Sequence, residues 1–141
     1  MADTKEVRFI IDAAPMGKER PRMVRQGGFM RTYTPEKTEK YQNNVRKIYQ
    51  DEVNYNFGEA PLELTINAYF PIPTSWPKYK QKEAREGSRR PTVKPDFDNM
   101  AKIVADSLNG IAYTDDKQIV DAIQHKYYSD YPHTEVIIRE V

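Results

Sequence analysis

The chain has 141 residues, 38% hydrophobic and 30% charged, with a formal net charge of +1 and a mean hydropathy of −0.84. That is room for a single domain over residues 1–141, polar enough that a partner chain would complete part of its apolar surface. It has no cysteine, no run near the roughly 18 apolar residues of a membrane span and no signal-like N-terminus, which excludes a disulfide framework and a thiolate metal site, gives no sign of a membrane span or signal peptide, and lets the chain tolerate a reducing cytosol without requiring one.

In chain order, Lys5 to Asp12 alternates Val7, Phe9 and Ile11 with other residues and predicts a strand. Ala13 to Gly28 carries Pro15, Gly17, Pro21 and Gly27-Gly28, too much punctuation for a helix, so a loop or loose hairpin is expected, with Phe29 to Tyr33 a short returning strand. Between Met16 and Thr34, Lys18, Arg20, Arg22, Arg25 and Arg31 face only Glu19, a net of +4, and guanidinium groups there suit phosphates. Thr34-Pro35-Glu36 reads as a helix start, threonine as N-cap and proline as first helical residue. That helix runs to about Val53 on an apolar stripe of Tyr41, Val45, Ile48 and Tyr49.

Leu62 to Phe70 alternates as a half-buried strand, ended by Pro71-Ile72-Pro73. A short basic helix follows Ser75-Trp76-Pro77 through Glu86, and Trp76 is expected to pack on its neighbours rather than on a base. From Trp76 to Lys94 the net charge is +5, with Arg89, Arg90 and Lys94 in a coil after Gly87. Gln118 to Tyr128 and His133 to Glu140 read as strands, the former with Ile119, Asp121 and Ile123 on one side. This order implies an α+β fold with a mixed β-sheet packed with helices.

The acidic stretch interrupts a basic chain: from Pro95 to Asp121 six aspartates face Lys102 and Lys117, a net of −4. Segregation of this kind is what a polyanion-binding protein with a metal site needs. Pro95 keeps Lys94 out of a helix, so the helix begins with Asp96 as N-cap, has Asp98 in its first turn and ends at Gly110. A cap alone, worth about 1 kcal/mol, would explain Asp96, but not Asp98 or the Asp115-Asp116 pair. Asp98, Lys102 and Asp106 share a helix face, yet Asp98 and Asp106 stand about 12 Å apart along the axis. Asp106 is therefore read as a partner of Lys102 or as a helix-end contact. Asp96 and Asp98 can share one ion or straddle two, and Asp116 joins them only if the turn at Gly110 folds the chain back. Hard oxygen donors favour magnesium, with manganese as the alternative, over zinc, and His125 and His133 are read as strand surface residues.

The series Lys94-Pro95-Asp96-Phe97-Asp98-Asn99-x-x-Lys102, then Asp106-x-Leu108-Asn109-Gly110, Tyr113-x-Asp115-Asp116-x-Gln118-Ile119 and Lys126, closely resembles the signature of the RusA family of Holliday junction resolvases. Pro15-x-Gly17-Lys18-x-Arg20-Pro21-Arg22 and Tyr33-Thr34-Pro35 are similar to it as well, so the likeness covers about residues 15 to 128. The resemblance implies a RusA-like fold and a small homodimeric, magnesium-dependent endonuclease of the bacterial cell, commonly prophage-encoded. Such an enzyme nicks opposed strands of a four-way DNA junction in recombination and repair. The family's catalytic, metal-binding aspartates match Asp96, Asp98 and Asp116, its catalytic lysine matches Lys102, and Asp115 is a fourth candidate ligand. Contact of Arg89, Arg90 and Lys94 with DNA rests on charge, as it does for the N-terminal arginines. Two other readings stand beside it: a catalytically silent branched-DNA or single-strand binder whose aspartates only cap helices, and a nucleotide phosphoryl-transfer enzyme, for which no base pocket is visible in the sequence.

Overall fold

The computed structural model describes residues 4–19, 22–33 and 35–141, the side chains of Arg22 and Tyr33 excepted. Arg20 as a phosphate contact and Thr34 as a helix cap lie outside the described residues. The elements are β1 (Glu6–Ile11), β2 (Arg22–Gln26), β3 (Phe29–Tyr33), α1 (Glu36–Glu52), β4 (Leu62–Pro71), α2 (Lys78–Glu86), α3 (Phe97–Leu108), a single 3₁₀ turn (Asp116–Gln118), β5 (Ile119–Ser129) and β6 (His133–Glu140). β1, β6, β4 and β5 form one sheet in that order, antiparallel except for the parallel β4–β5 pair. The fold is α+β with a mixed sheet, as the RusA resemblance implies.

Period-two burial explains the sheet. Val7, Phe9 and Ile11 of β1, Leu62, Leu64 and Ile66 of β4, and Val136 and Ile138 of β6 are buried on one face. They share a core with Tyr41, Val45 and Tyr49 of α1 and Ile103, Val104 and Leu108 of α3. Ala68 and Phe70 continue β4 into a smaller cluster with Met100, against which Tyr128 packs. Arg46 ties the two helices, its Nε donating to Ser107 O at 3.0 Å.

Two local expectations change. Pro35 is the N-cap of α1 rather than its first helical residue, with an extended ψ of 142° that leaves Glu36 to open the helix. The segment after Pro21 takes the hairpin form of its two expected alternatives, with Phe29–Tyr33 as the returning strand. In β5 the register slips between Leu62–Ile119 and Glu63–Asp121. A bulge at Val120 therefore puts Ile119 against the core and sends Asp121 and Ile123 to the opposite face. Trp76 does pack on its own chain, edge-on to Tyr128 with centroids 5.3 Å apart.

The chain's return after α3 depends on two residues. Gly110 has a φ of 75°, the left-handed conformation glycine adopts without strain, and its amide donates to Tyr113 O at 2.7 Å. Tyr113 is completely buried, and its hydroxyl donates to Ala105 O at 2.8 Å. Asn109 N, which would serve Ala105 O in a continuing helix, bonds Asp106 O instead. Tyr113→Phe would thus leave a helical carbonyl unpaired in the core, and urea denaturation should show a loss of about 1–3 kcal/mol.

Candidate active site

α3 begins where a strap from Thr92 to Pro95 enters it, and Asp96 is its N-cap in an extended conformation. Asp96 makes no capping hydrogen bond, so the structural role that would account for it is not in use. Asp96, Phe97 and Asp98 are all exposed, and the helix N-terminus favours ionised carboxylates there. An open cleft of about 470 Å³ lies on one side of Asp96, between the strap, Asn99 and the N-terminal loop Pro15–Glu19. A second, of about 380 Å³, is lined by Thr92, Val93, Lys94, Phe97 and Lys126.

The N-terminal loop reaches this place through a glycine. Lys18 N donates to Asn99 O at 3.0 Å, and a Cβ at Gly17 would stand 2.8 Å from Pro95 Cβ and 3.1 Å from Asn99 Cβ. Lys126 holds the strap from the other side. It lies on the inward phase of β5 opposite Ala68, and its Nζ donates to Val93 O at 2.6 Å and Pro95 O at 3.1 Å. Burial lowers its pKa, an effect the nearby Asp96 charge opposes. The sequence contained a signal for this residue, a lone lysine on the helix-facing side of an otherwise ordinary strand, but no hint of its partner.

About two helical turns along α3 from Asp98, a second charged group gathers around Asp106. The half-buried Asp106 carboxylate lies 3.4 Å from Lys102 Nζ and 3.7 Å from Lys18 Nζ, which bears out its reading as a lysine partner. The return after Gly110 brings the 3₁₀ turn against α3. Asp115 caps that turn: its Oδ2 accepts from Lys117 N at 2.8 Å while its own N–H donates to Gln118 Oε1 at 3.1 Å. Gln118 in turn donates to Gly58 O and Ala60 O, both at 2.8 Å. Asp116 is held beside these groups, and its pKa is raised, first by burial, then by the charges of Asp115 and Asp106 and a hydrogen bond with Asp115, with Lys102 opposing.

Asp116 thus feels the charges of Asp106 and Lys102, and Lys126 that of Asp96. Among the described residues no three acids or histidines come together in a group that could hold a metal ion. Of the expected DNA contacts, Lys94, Arg25 and Arg31 are exposed, while Lys18 is engaged with Asp106. Arg89 is paired with Glu83 at 2.8 Å and lies over Trp76. Arg90 donates to Lys126 O at 2.6 Å and covers the Tyr127 ring.

The profile of the family described as "Endodeoxyribonuclease RusA" matches residues 12–139. The chain is also 34% identical over 137 residues, 96% of each chain, to "Uncharacterized protein YqaN" of Bacillus subtilis (strain 168). The family match takes in the strap, α3, the return and β5.

Two measurements probe the geometry. Lys126→Met keeps an unbranched side chain but removes both hydrogen bonds to the strap and the ammonium over the Phe70 ring. It should cost about 1–3 kcal/mol and speed hydrogen exchange at the Val93, Lys94 and Phe97 amides, leaving those of α1 unchanged. For Asp116 the folded state holds the carboxyl proton more tightly than the unfolded chain does. The charge penalty is thus absent below the ordinary carboxylate pKa of 3.8 and develops as pH rises above it. Asp116→Asn should consequently stabilise the metal-free protein at pH 7 by a few tenths of a kcal/mol, the scale of half-exposed charges, and the gain should vanish in thermal melts near pH 3.

Proposed function

Because the chain belongs to the RusA family of endodeoxyribonucleases, we propose that it resolves Holliday junctions, nicking opposed strands of four-way DNA as a homodimer. Its place is homologous recombination and repair in the bacterial cytoplasm, and its cofactor is magnesium, with manganese as a substitute. The observation that carries this reading is the pair of exposed carboxylates at the first turn of α3, Asp96 uncapped and flanked by two open clefts. A helix cap would have used its oxygens.

The donors fit a hard divalent cation. All are carboxylate oxygens, two are free of capping bonds, and Asp116 stands among like charges whose repulsion a cation would offset. Asp96, Asp98 and Asp116 would hold it, with the Asp115 oxygen not engaged by Lys117 N as a fourth donor. Once bound, the ion supplies polarisation of a phosphoryl oxygen and a more acidic water. The protein's own residues do the rest. The clefts admit a sugar–phosphate chain on either side of Asp96. Lys94 meets it at the strap, and Lys18, pinned through Asn99, meets it at the loop. Lys102, 60% exposed, can leave Asp106 for a phosphate oxygen as charge builds on it. Two opposed nicks require two such sites about a two-fold axis, hence a homodimer.

One observation favours the silent-binder reading instead: among the described residues no three acids or histidines form a group that could hold a metal ion. Nicking of a synthetic four-way junction, against linear duplex of the same sequence, separates the two. With magnesium the protein should nick the junction; chelator or Asp98→Asn should abolish nicking while leaving binding intact. Lys102→Met should slow the reaction by on the order of 100-fold. Tight, salt-sensitive binding with no cleavage in any divalent metal would establish the binder.

A further inference from the structure

β2 and β3 form a ribbon of their own. Their ladder joins no other strand of the described chain, and the pair makes its extensive contacts only with itself. Gly27 and Gly28 connect the strands with φ of 58° and 83°, as a type I′ turn requires. The register pairs Met23 with Thr32, Val24 with Arg31, Arg25 with Met30 and Gln26 with Phe29. Alternation then places Met23, Arg25, Met30 and Thr32 on one face and Val24, Gln26, Phe29 and Arg31 on the other. Both faces mix apolar and cationic groups, and both are open: Phe29 is 78% exposed, Met23 60% and Met30 59%. From Arg22 to Tyr33 there are three arginines and no acid.

An isolated two-stranded ribbon is marginal in water, and large apolar side chains at its end mark a surface awaiting a partner. The charge decides which partner. A second ribbon would set arginine against arginine. The uncovered face of the main sheet in a second copy offers little more, since Arg8 already pairs with Glu135 and Arg139 with Glu63 there. A polyanion with stacked apolar rings matches both features. A two-stranded ribbon fits a DNA major groove, and apolar side chains can wedge between base steps. The foot of the ribbon is also well placed. Lys18, tied to Asn99 on α3, precedes β2 by four residues, at most about 14 Å of chain, and the five-residue strands extend about 17 Å beyond.

We propose that the β2–β3 ribbon probes branched DNA, with the Phe29–Met30 end entering the loosened base stack at the branch point and Arg25 and Arg31 on the flanking phosphates. This rests on the junction-nuclease reading and gives that enzyme a means of telling a branch from a continuous duplex. A continuous duplex resists unstacking, whereas a branch point already exposes base faces.

The test uses the full chain, chelator to prevent cleavage, and four-way junctions carrying 2-aminopurine either at the branch point or in mid-arm. Wild-type protein should raise the fluorescence of the branch-point probe severalfold and leave the mid-arm probe unchanged. The double substitution Phe29→Ala with Met30→Ala should remove the rise and weaken junction binding about tenfold, with duplex binding and thermal melting unaltered. Arg25→Ala with Arg31→Ala should keep the rise at saturation and reduce the slope of log K against log salt by about 2. An undiminished rise in the Phe29/Met30 variant would overturn the proposal, as would absence of junction binding. So would a variant that dissociates a dimer while binding DNA normally, which would assign the ribbon to a second copy. A branch-point rise without nicking in magnesium would sink the nuclease reading and leave the probe standing.

Discussion

The apolar side of α3, pressed against α1 and β4, determines where each charge of the site can stand. Ile103, Val104 and Leu108 are buried in the common core, and Met100 sits with Phe70 and Ala68 beneath the first turn. With that side immobilised, the helix has only one rotational setting, and it presents Asp98, Lys102 and Asp106 outward. Turning α3 to improve any one polar contact would expose several large apolar side chains, each worth about 1.5–3 kcal/mol when buried. The charges therefore accommodate the packing. Asp106 is clamped between Lys18 and Lys102, and Asp116 remains among like charges that raise its pKa.

Around this helix the protein arranges two supports of opposite kind. On one side the contact is steric: Gly17 lets the N-terminal loop approach Pro95 and Asn99 closer than any side chain would permit. On the other it is electrostatic: Lys126 reaches from β5 to two strap carbonyls. Both act on the short segment that delivers Asp96. The uncapped carboxylate is thus held by its backbone and makes no side-chain capping bond.

Charge along a sequence is a poor guide to charge available at a surface. Arg89 and Arg90 belong to the most basic stretch of the chain, yet one is paired with Glu83 and the other bonds the β5 backbone and covers Tyr127. Arg25 and Arg31, in a less basic stretch, project from a ribbon with little else to touch.

What could be read from the residues was whatever depends on near neighbours. Period-two burial in β1, β4 and β6, the stripe of α1, the start of α3 at Asp96 and the Asp106–Lys102 pair are all local, and the motif from Lys94 to Gln118 was specific enough to indicate the family. Tertiary structure decided the rest, because it turned on contacts between distant segments. The Val120 bulge depends on how β5 meets β4, and the role of Lys126 on a strap some thirty residues earlier. The station of Asp116 depends on a buried tyrosine reaching back to Ala105. Spacing along the chain limits which acids can meet, but only packing chooses among them, since burying apolar surface outweighs the repulsion of a few half-exposed carboxylates.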